Sequence, residues 1–158
     1  MGNQIKANTM NRTKTGSQAV LKLDSFLCFA VYSVNHAFNR VYKPLLDRLK
    51  LTYPQYLAMA ILWEQDDQTV GSLGEKLFLE SSTLTPMLKR LEALKYISRI
   101  RDQNDERQVR VQLTKAGRAL REKAQEIPAC IIEATGLNPE GVAKLKEEIT
   151  KLRASLVR

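Results

Sequence analysis

Two thiols, Cys28 and Cys130, are the residues of this chain best suited to chemistry without a cofactor, and the first sits in the run "LDSFLCFAVYSVNHAFNRVY" from Leu23 to Tyr42. The two lie far apart in sequence, with no CxxC and no ligand spacing, so a metal clip is excluded as a local motif. A cysteine among Phe26, Leu27 and Phe29 can serve as a small hydrophobe in a core. It can also react: a thiolate attacks the O–O bond of a hydroperoxide, displaces ROH and becomes a sulfenic acid. Tyr32 lies at i+4 from Cys28, on the same helix face if the segment is helical. Phenol donors aimed at sulfur favour the thiolate, whereas apolar burial disfavours it, so a reactive Cys28 needs donors that outweigh desolvation. Which use applies depends on the elements that hold the thiol.

The chain has 158 residues, 44% of them hydrophobic, enough for one sizeable core. Apolar runs such as "YLAMAILW" fall well short of the roughly 20 residues that cross a bilayer, and the N-terminus lacks the continuous apolar stretch of a signal peptide. The expected setting is cytoplasmic, without membrane contact, and there both cysteines are free thiols by default. Lys and Arg number 25 against 17 Asp and Glu, a net charge of +8. Residues 1–22 carry Lys6, Arg12, Lys14 and Lys22 with no acid and no apolar period, and are read as a flexible basic tail. Residues 81–114 carry seven bases against four acids, a cationic excess that suits a polyanion such as nucleic acid.

The pattern predicts a mainly α chain. From Phe26 the apolar residues Phe29, Ala30, Ala37, Phe38, Val41, Tyr42 and Leu45 recur at helical intervals, with Pro44 expected to kink or end the helix. Thr52 and Pro54 mark the start of a second helix through Leu57, Ile61 and Leu62. A short third helix follows, with Ser72 and Glu75 at capping-box spacing and Leu73 and Leu77 facing inward. A fourth opens on the hydroxyls of "SSTLTP" and repeats Leu84, Leu88, Leu91 and Leu94. Such a pair, with Ser82, Thr83, Thr85, Lys89 and Arg90 on polar positions, matches a helix-turn-helix. "YISRIRD" and "QVRVQLT" then alternate apolar and polar residues around the loop "DQNDER", as a two-stranded hairpin does. Arg99, Arg101, Arg107 and Arg110 fall in or beside it, so the whole reads as a winged helix over about 52–114. A helix interrupted at Pro128 carries Cys130. A last one starts with Asn138 as cap and Pro139 at its first position, and its Val142, Leu145, Ile149, Leu152 and Leu156 form a coiled-coil-like seam. Helices over about 24–48 and 115–158 are expected to pair two copies and set two winged helices about one DNA turn apart.

These features together resemble the MarR family of bacterial winged-helix regulators, and within it the organic hydroperoxide-sensing, OhrR-type repressors with two cysteines. The family's D-x-R followed by L-T-x-x-G stands as Asp105, Arg107, Leu113, Thr114 and Gly117. "LTPMLKRLE" is similar to its recognition helix, and "LDSFLCFAVYS" to the segment bearing its sensing cysteine. The resemblance spans residues 23–158, taken as one domain. It implies a homodimeric repressor on a double-stranded DNA operator, with no cofactor and no metal. It further implies that Cys28 is the peroxidatic thiol, that Tyr42 and Tyr53 hydrogen-bond it with Tyr32 assisting, and that Cys130 resolves the sulfenic acid as an intersubunit disulfide. Ser82, Thr83, Thr85, Lys89 and Arg90 would face the major groove and its phosphates, and Arg107 the minor groove, with Asp105 orienting it or capping the turn.

One inference needs no family. Tyr42 lies 14 residues beyond Cys28, about 21 Å along a continuous helix, so a phenol at the sulfur would come from an antiparallel helix of a two-fold-related copy. Two other readings share the residues: a regulator of the same fold that answers a reversible phenolic ligand with inert cysteines, and a thiol peroxidase. The enzyme reading lacks a CxxC, a glycine loop or a Ser-His-Asp set to support turnover.

Overall fold

A computed structural model describes residues 22–157; the basic tail expected over 1–22 lies, apart from Lys22, outside the described residues. Contacts divide the chain into two units between Ala37 and Phe38.

In the first unit a 3-10 turn, Leu23–Ser25, leads through an extended Phe26 into α1, Leu27–Asp47. None of the described residues before Phe38 is buried. Tyr32 meets the His36 ring edge-on at 4.3 Å between centroids, and Phe29 at 6.3 Å on the other side. Pro44 does not end α1, which runs on to Asp47. A proline withholds one N–H and crowds one carbonyl; here Leu46 and Leu49, 2% and 3% exposed, anchor the segment beyond it in the core.

The second unit is built on that core. α2, Tyr53–Glu64, begins where Gln55 Oε1 accepts the Thr52 backbone N–H at 2.9 Å, with Pro54 in its first turn as expected. Its Ala58, Met59 and Leu62 are at most 1% exposed. Gln68–Thr69 forms a short strand, β1, that the sequence pattern did not reveal, because two residues carry no period. α3, Val70–Leu77, is capped by Thr69, whose hydroxyl accepts the Ser72 N–H at 3.1 Å. Ser72, expected to be the cap, lies inside the helix and donates its own hydroxyl to Gln68 Oε1. α4, Ser81–Ala93, starts after Glu80 with no side-chain cap bond, so its N-terminal hydroxyls are not used for capping as expected. Its Leu84, Leu88 and Leu91 are 0% exposed.

β2, Ile97–Arg101, and β3, Val109–Leu113, pair antiparallel from Ile97 opposite Leu113 to Arg101 opposite Val109. β1 adds to the far side of β3, so the sheet order is β1-β3-β2 and the wing hairpin is rooted on a third strand. α5, Lys115–Ala124, is capped by Thr114, and the Gly117 carbonyl accepts the Trp63 indole N–H at 2.8 Å. The chain breaks at Gln125 and Glu126 before α6, Ile127–Thr135, which holds Pro128 in its first turn, where its missing N–H costs nothing. α7, Pro139–Leu156, is capped by Asn138 as expected and has no buried residue. Near its end the Arg153 guanidinium lies 4.4 Å above the Phe78 ring. No helix among the described residues is long and apolar enough to cross a membrane.

Candidate nucleic-acid interface and thiol site

The cationic face is assembled from α4 and the wing. Amphipathic α4 sends its leucines into the core, which leaves Ser82, Thr83, Lys89 and Arg90 exposed and Thr85 half-buried. Donors of a helix in this position can meet base edges and phosphate oxygens. Between α4 and the wing lies a groove of about 430 Å³ whose lining includes Thr69, Thr85, Arg99, Arg107 and Gln108.

Within the wing loop Asp105 caps the turn rather than pairing with the Arg107 side chain. Its Oδ1 accepts the Arg107 backbone N–H at 3.1 Å and its Oδ2 accepts Gln108 Nε2 at 3.1 Å. Arg107 is left exposed at the tip.

Two arginines counted with the hairpin's charge turn inward. Arg99 donates Nε and Nη2 to Glu92 Oε2 at 2.9 and 2.7 Å, and its backbone N–H to Oε1, which fastens β2 to the end of α4. The side-chain hydrogen bonds from Arg99 hold the Glu92 carboxyl below its ordinary range. Arg110 is bound by Asp67 and Asp102. Residue type gave the charge of these groups but not their partners.

The second unit brings three of its phenols together. Tyr42 of α1 and Tyr53 of α2 lie 4.4 Å apart between ring centroids, and Tyr56, which sequence reasoning missed, packs 6.0 Å from Tyr42 and 6.1 Å from Trp63. The aromatic i, i+3 spacing of Tyr53 and Tyr56 on one helix was the available signal for it. Burial pushes the Tyr42 phenol well above its ordinary range, reinforced by Tyr53 and Tyr56, and burial raises Tyr56 as well. Tyr42 and Tyr56 therefore remain protonated, as hydrogen-bond donors, at neutral pH.

Cys28 is exposed, so the desolvation expected from Phe26, Leu27 and Phe29 is not realised within one chain; Leu27 itself is 63% exposed. Tyr32 is exposed too. Cys130 is half-buried on α6, facing a cavity of about 240 Å³ beside Leu45, Arg48, Lys123 and Ile127. Among the described residues no group of three or more His, Cys, Asp or Glu side chains could hold a metal ion.

Comparison with known proteins places this architecture. Residues 40–126 match the transcriptional regulator SarA/Rot family. The organic hydroperoxide resistance transcriptional regulator of Bacillus subtilis is 45% identical over 136 residues, which cover 86% of this chain and 92% of that protein. Among solved structures, reduced AbfR bound to DNA superposes with a TM-score of 0.74 at 36% identity, over 89% of this chain and 99% of that one. Disulfide-formed AbfR superposes at 0.56 and 36% identity, over 85% and 95%. With helix-turn-helix, wing and L-T-x-x-G cap all in place, the chain belongs to the SarA/Rot-type, MarR-like family of winged-helix transcriptional regulators.

Proposed function

We propose that this chain is a homodimeric DNA-binding repressor that senses organic hydroperoxides through Cys28 and leaves its operator when that thiol is oxidised. The observation that carries the reading is the pairing of Tyr42 with Tyr53 at 4.4 Å between ring centroids, with the Tyr42 phenol held protonated, as a donor, by its burial. The two hydroxyls hydrogen-bond each other, which uses one donor and leaves the other for an anion presented from outside. Cys28 is an exposed thiol on the same uninterrupted helix as Tyr42, fourteen positions away. A two-fold mate running antiparallel would bring one copy's phenols to the other copy's sulfur, where they stabilise the thiolate, with Tyr32 assisting from its own turn.

The thiolate attacks the hydroperoxide's terminal oxygen, the O–O bond breaks, and the alkoxide takes a proton to leave as ROH. The Cys130 thiolate of the other copy then attacks the sulfenic sulfur of Cys28, the S–O bond breaks, the hydroxide takes a proton to leave as water, and a disulfide forms. A disulfide requires Cα atoms within roughly 7 Å, so closure from a wider spacing repacks the dimer and disturbs the half-site distance. The existence of both reduced DNA-bound and disulfide forms of AbfR supports such a cycle. On DNA, α4 contributes Ser82, Thr83, Thr85, Lys89 and Arg90, and the wing contributes Arg107 with Asp105 shaping its turn.

The test is a gel shift on a duplex selected from a randomised pool by the reduced protein, before and after cumene hydroperoxide and again after dithiothreitol. The wild type should be released and then restored. Cys28→Ser should stay bound under peroxide, while Cys130→Ser should trap a sulfenic acid, seen by mass, without a covalent dimer. Release of Cys28→Ser by the organic peroxide would sink the reading. Arg107→Ala should weaken reduced binding by about 1–3 kcal/mol if the guanidinium reads a base edge; equal affinity would remove Arg107 from the interface.

A further inference from the structure

The turn that closes α2 is tied to the wing tip by an unbroken set of hydrogen bonds. Asp67 sits in that turn at φ 60. Its carboxylate accepts from Arg110 Nε at 2.7 Å and Nη2 at 2.9 Å, its carbonyl accepts from Nη2 at 2.7 Å, and Gln112 Nε2 donates to Oδ1 at 3.1 Å. The remaining arm of the guanidinium, Nη1, donates to Asp102 Oδ2 at 3.0 Å. Asp102 stands where β2 gives way to the loop, and its other oxygen accepts the N–H groups of Asn104 at 2.8 Å and Asp105 at 3.2 Å. Asp105 in turn accepts the Arg107 N–H.

We propose that Asp67, acting through Arg110 and Asp102, is the positioning residue for Arg107: it fixes where the wing tip sits relative to α4 and so how deeply Arg107 engages DNA. This rests on the assignment of Arg107 to the DNA interface.

Three physical points support it. A two-stranded hairpin is marginal alone and its tip is free to swing, while a planar guanidinium gripped on two edges by carboxylates permits one orientation. Asp67 and Arg110 are partly solvent-exposed, with side chains 43% and 31% accessible, while Asp102 at 12% is mostly covered; the exposed Asp67–Arg110 pair adds little to stability. The cluster's consequence is then geometric. Finally, an arginine committed to two acids is not available to phosphate, so Arg110 contributes orientation and Arg107 contact.

The experiment is a double-mutant cycle in DNA affinity, read by fluorescence anisotropy on the same selected duplex with reduced full-length dimer. Asp67→Asn removes the charge, and asparagine accommodates the left-handed backbone at this position. Expected results are a loss of roughly 3- to 10-fold for Asp67→Asn and a larger loss for Arg107→Ala. The double variant should bind within about twofold of Arg107→Ala alone, because a residue that acts through Arg107 has nothing left to position. The melting temperature of Asp67→Asn should fall only slightly, as for other partly exposed ion pairs. Arg110→Lys, which keeps the charge and loses the fork, should reproduce the same pattern and serves if Asp67→Asn folds poorly.

Losses that multiply in the double variant, or wild-type affinity for Asp67→Asn and Arg110→Lys while Arg107→Ala binds weakly, would overturn the inference and leave the DNA assignment standing. Wild-type affinity for Arg107→Ala would overturn both.

Discussion

Leu84, Leu88 and Leu91 on α4 and Leu145, Ile149 and Leu156 on α7 both mark one face of a helix, yet the first three are 0% exposed and the second three 48%, 50% and 76%. The same kind of pattern thus has two outcomes in one chain. The α4 stripe meets α2, α3 and β2 of its own fold, so a single chain completes the reading head. On the α7 stripe Val142 and Leu152 are only half-buried and none of its residues is fully buried. Exposed apolar side chains at helical spacing suit a helix of a second copy, and homodimers are the rule in this family. The lesson is that amphipathic period specifies a buried face but not whose atoms will bury it.

The contrast is sharpest where the head tolerates least. Gly117 at the start of α5 packs against the Tyr96 carbonyl so closely that a Cβ would overlap its oxygen. Backbone cannot yield there without moving α5 or the root of β2. Gly117→Ala is therefore expected to lose more than roughly 4 kcal/mol, measured by urea unfolding followed through the single tryptophan, Trp63, which bonds this very glycine. Leu88→Ala comes next. With its side chain 0% exposed, removal leaves a cavity that should cost about 2–5 kcal/mol in the same assay.

A smaller effect comes from the clamp between α4 and β2. The Arg99 hydrogen bonds lower the folded-state pKa of Glu92 below its unfolded value. The carboxylate's contribution is then fully present above the unfolded pKa and is lost as pH falls through the folded one, below the ordinary carboxylate range. Glu92 is partly exposed, so screening limits the contribution to about 0.5–1 kcal/mol. Glu92→Gln should remove that much at neutral pH and flatten this part of the acid dependence of unfolding.

How much of this was readable beforehand follows from what each feature needs. Caps at Thr52 and Asn138, the Leu84–Leu88–Leu91 stripe and the strands around "DQNDER" depend on neighbours within a few residues, and the sequence displayed them. β1 is too short for a period, and its partner lies some forty residues away. Ser72 matched a capping box, but Thr69, three residues earlier, took the role once β1 fixed the chain's entry into α3. Arg99 and Arg110 looked like free cations because their acids, Glu92, Asp67 and Asp102, are brought close only by folding. Tyr42 and Tyr53 were legible as a pair through resemblance; Tyr56, beside them in space, was not.

The finest test of the contrast lies on α7. Ile149→Glu places a charge at the centre of the open stripe, which in one chain meets water and should change the head's own stability by no more than about 0.5 kcal/mol. In a dimer the same substitution removes an apolar contact worth about 1.5–3 kcal/mol per copy and leaves a carboxylate that must either stay hydrated or be buried unpaired. Sedimentation equilibrium should therefore show the variant dissociating at concentrations where the wild type is a dimer. The Trp63 emission, which reports the α2–α5 packing of the head, should stay as in the wild type. Because anything that binds only the folded state stabilises it by mass action, the wild type's melting temperature should rise with protein concentration and the variant's should not. Loss of the Trp63 signal together with the dimer would mean that the head does not complete itself within one chain, and the distinction between the two stripes would fall.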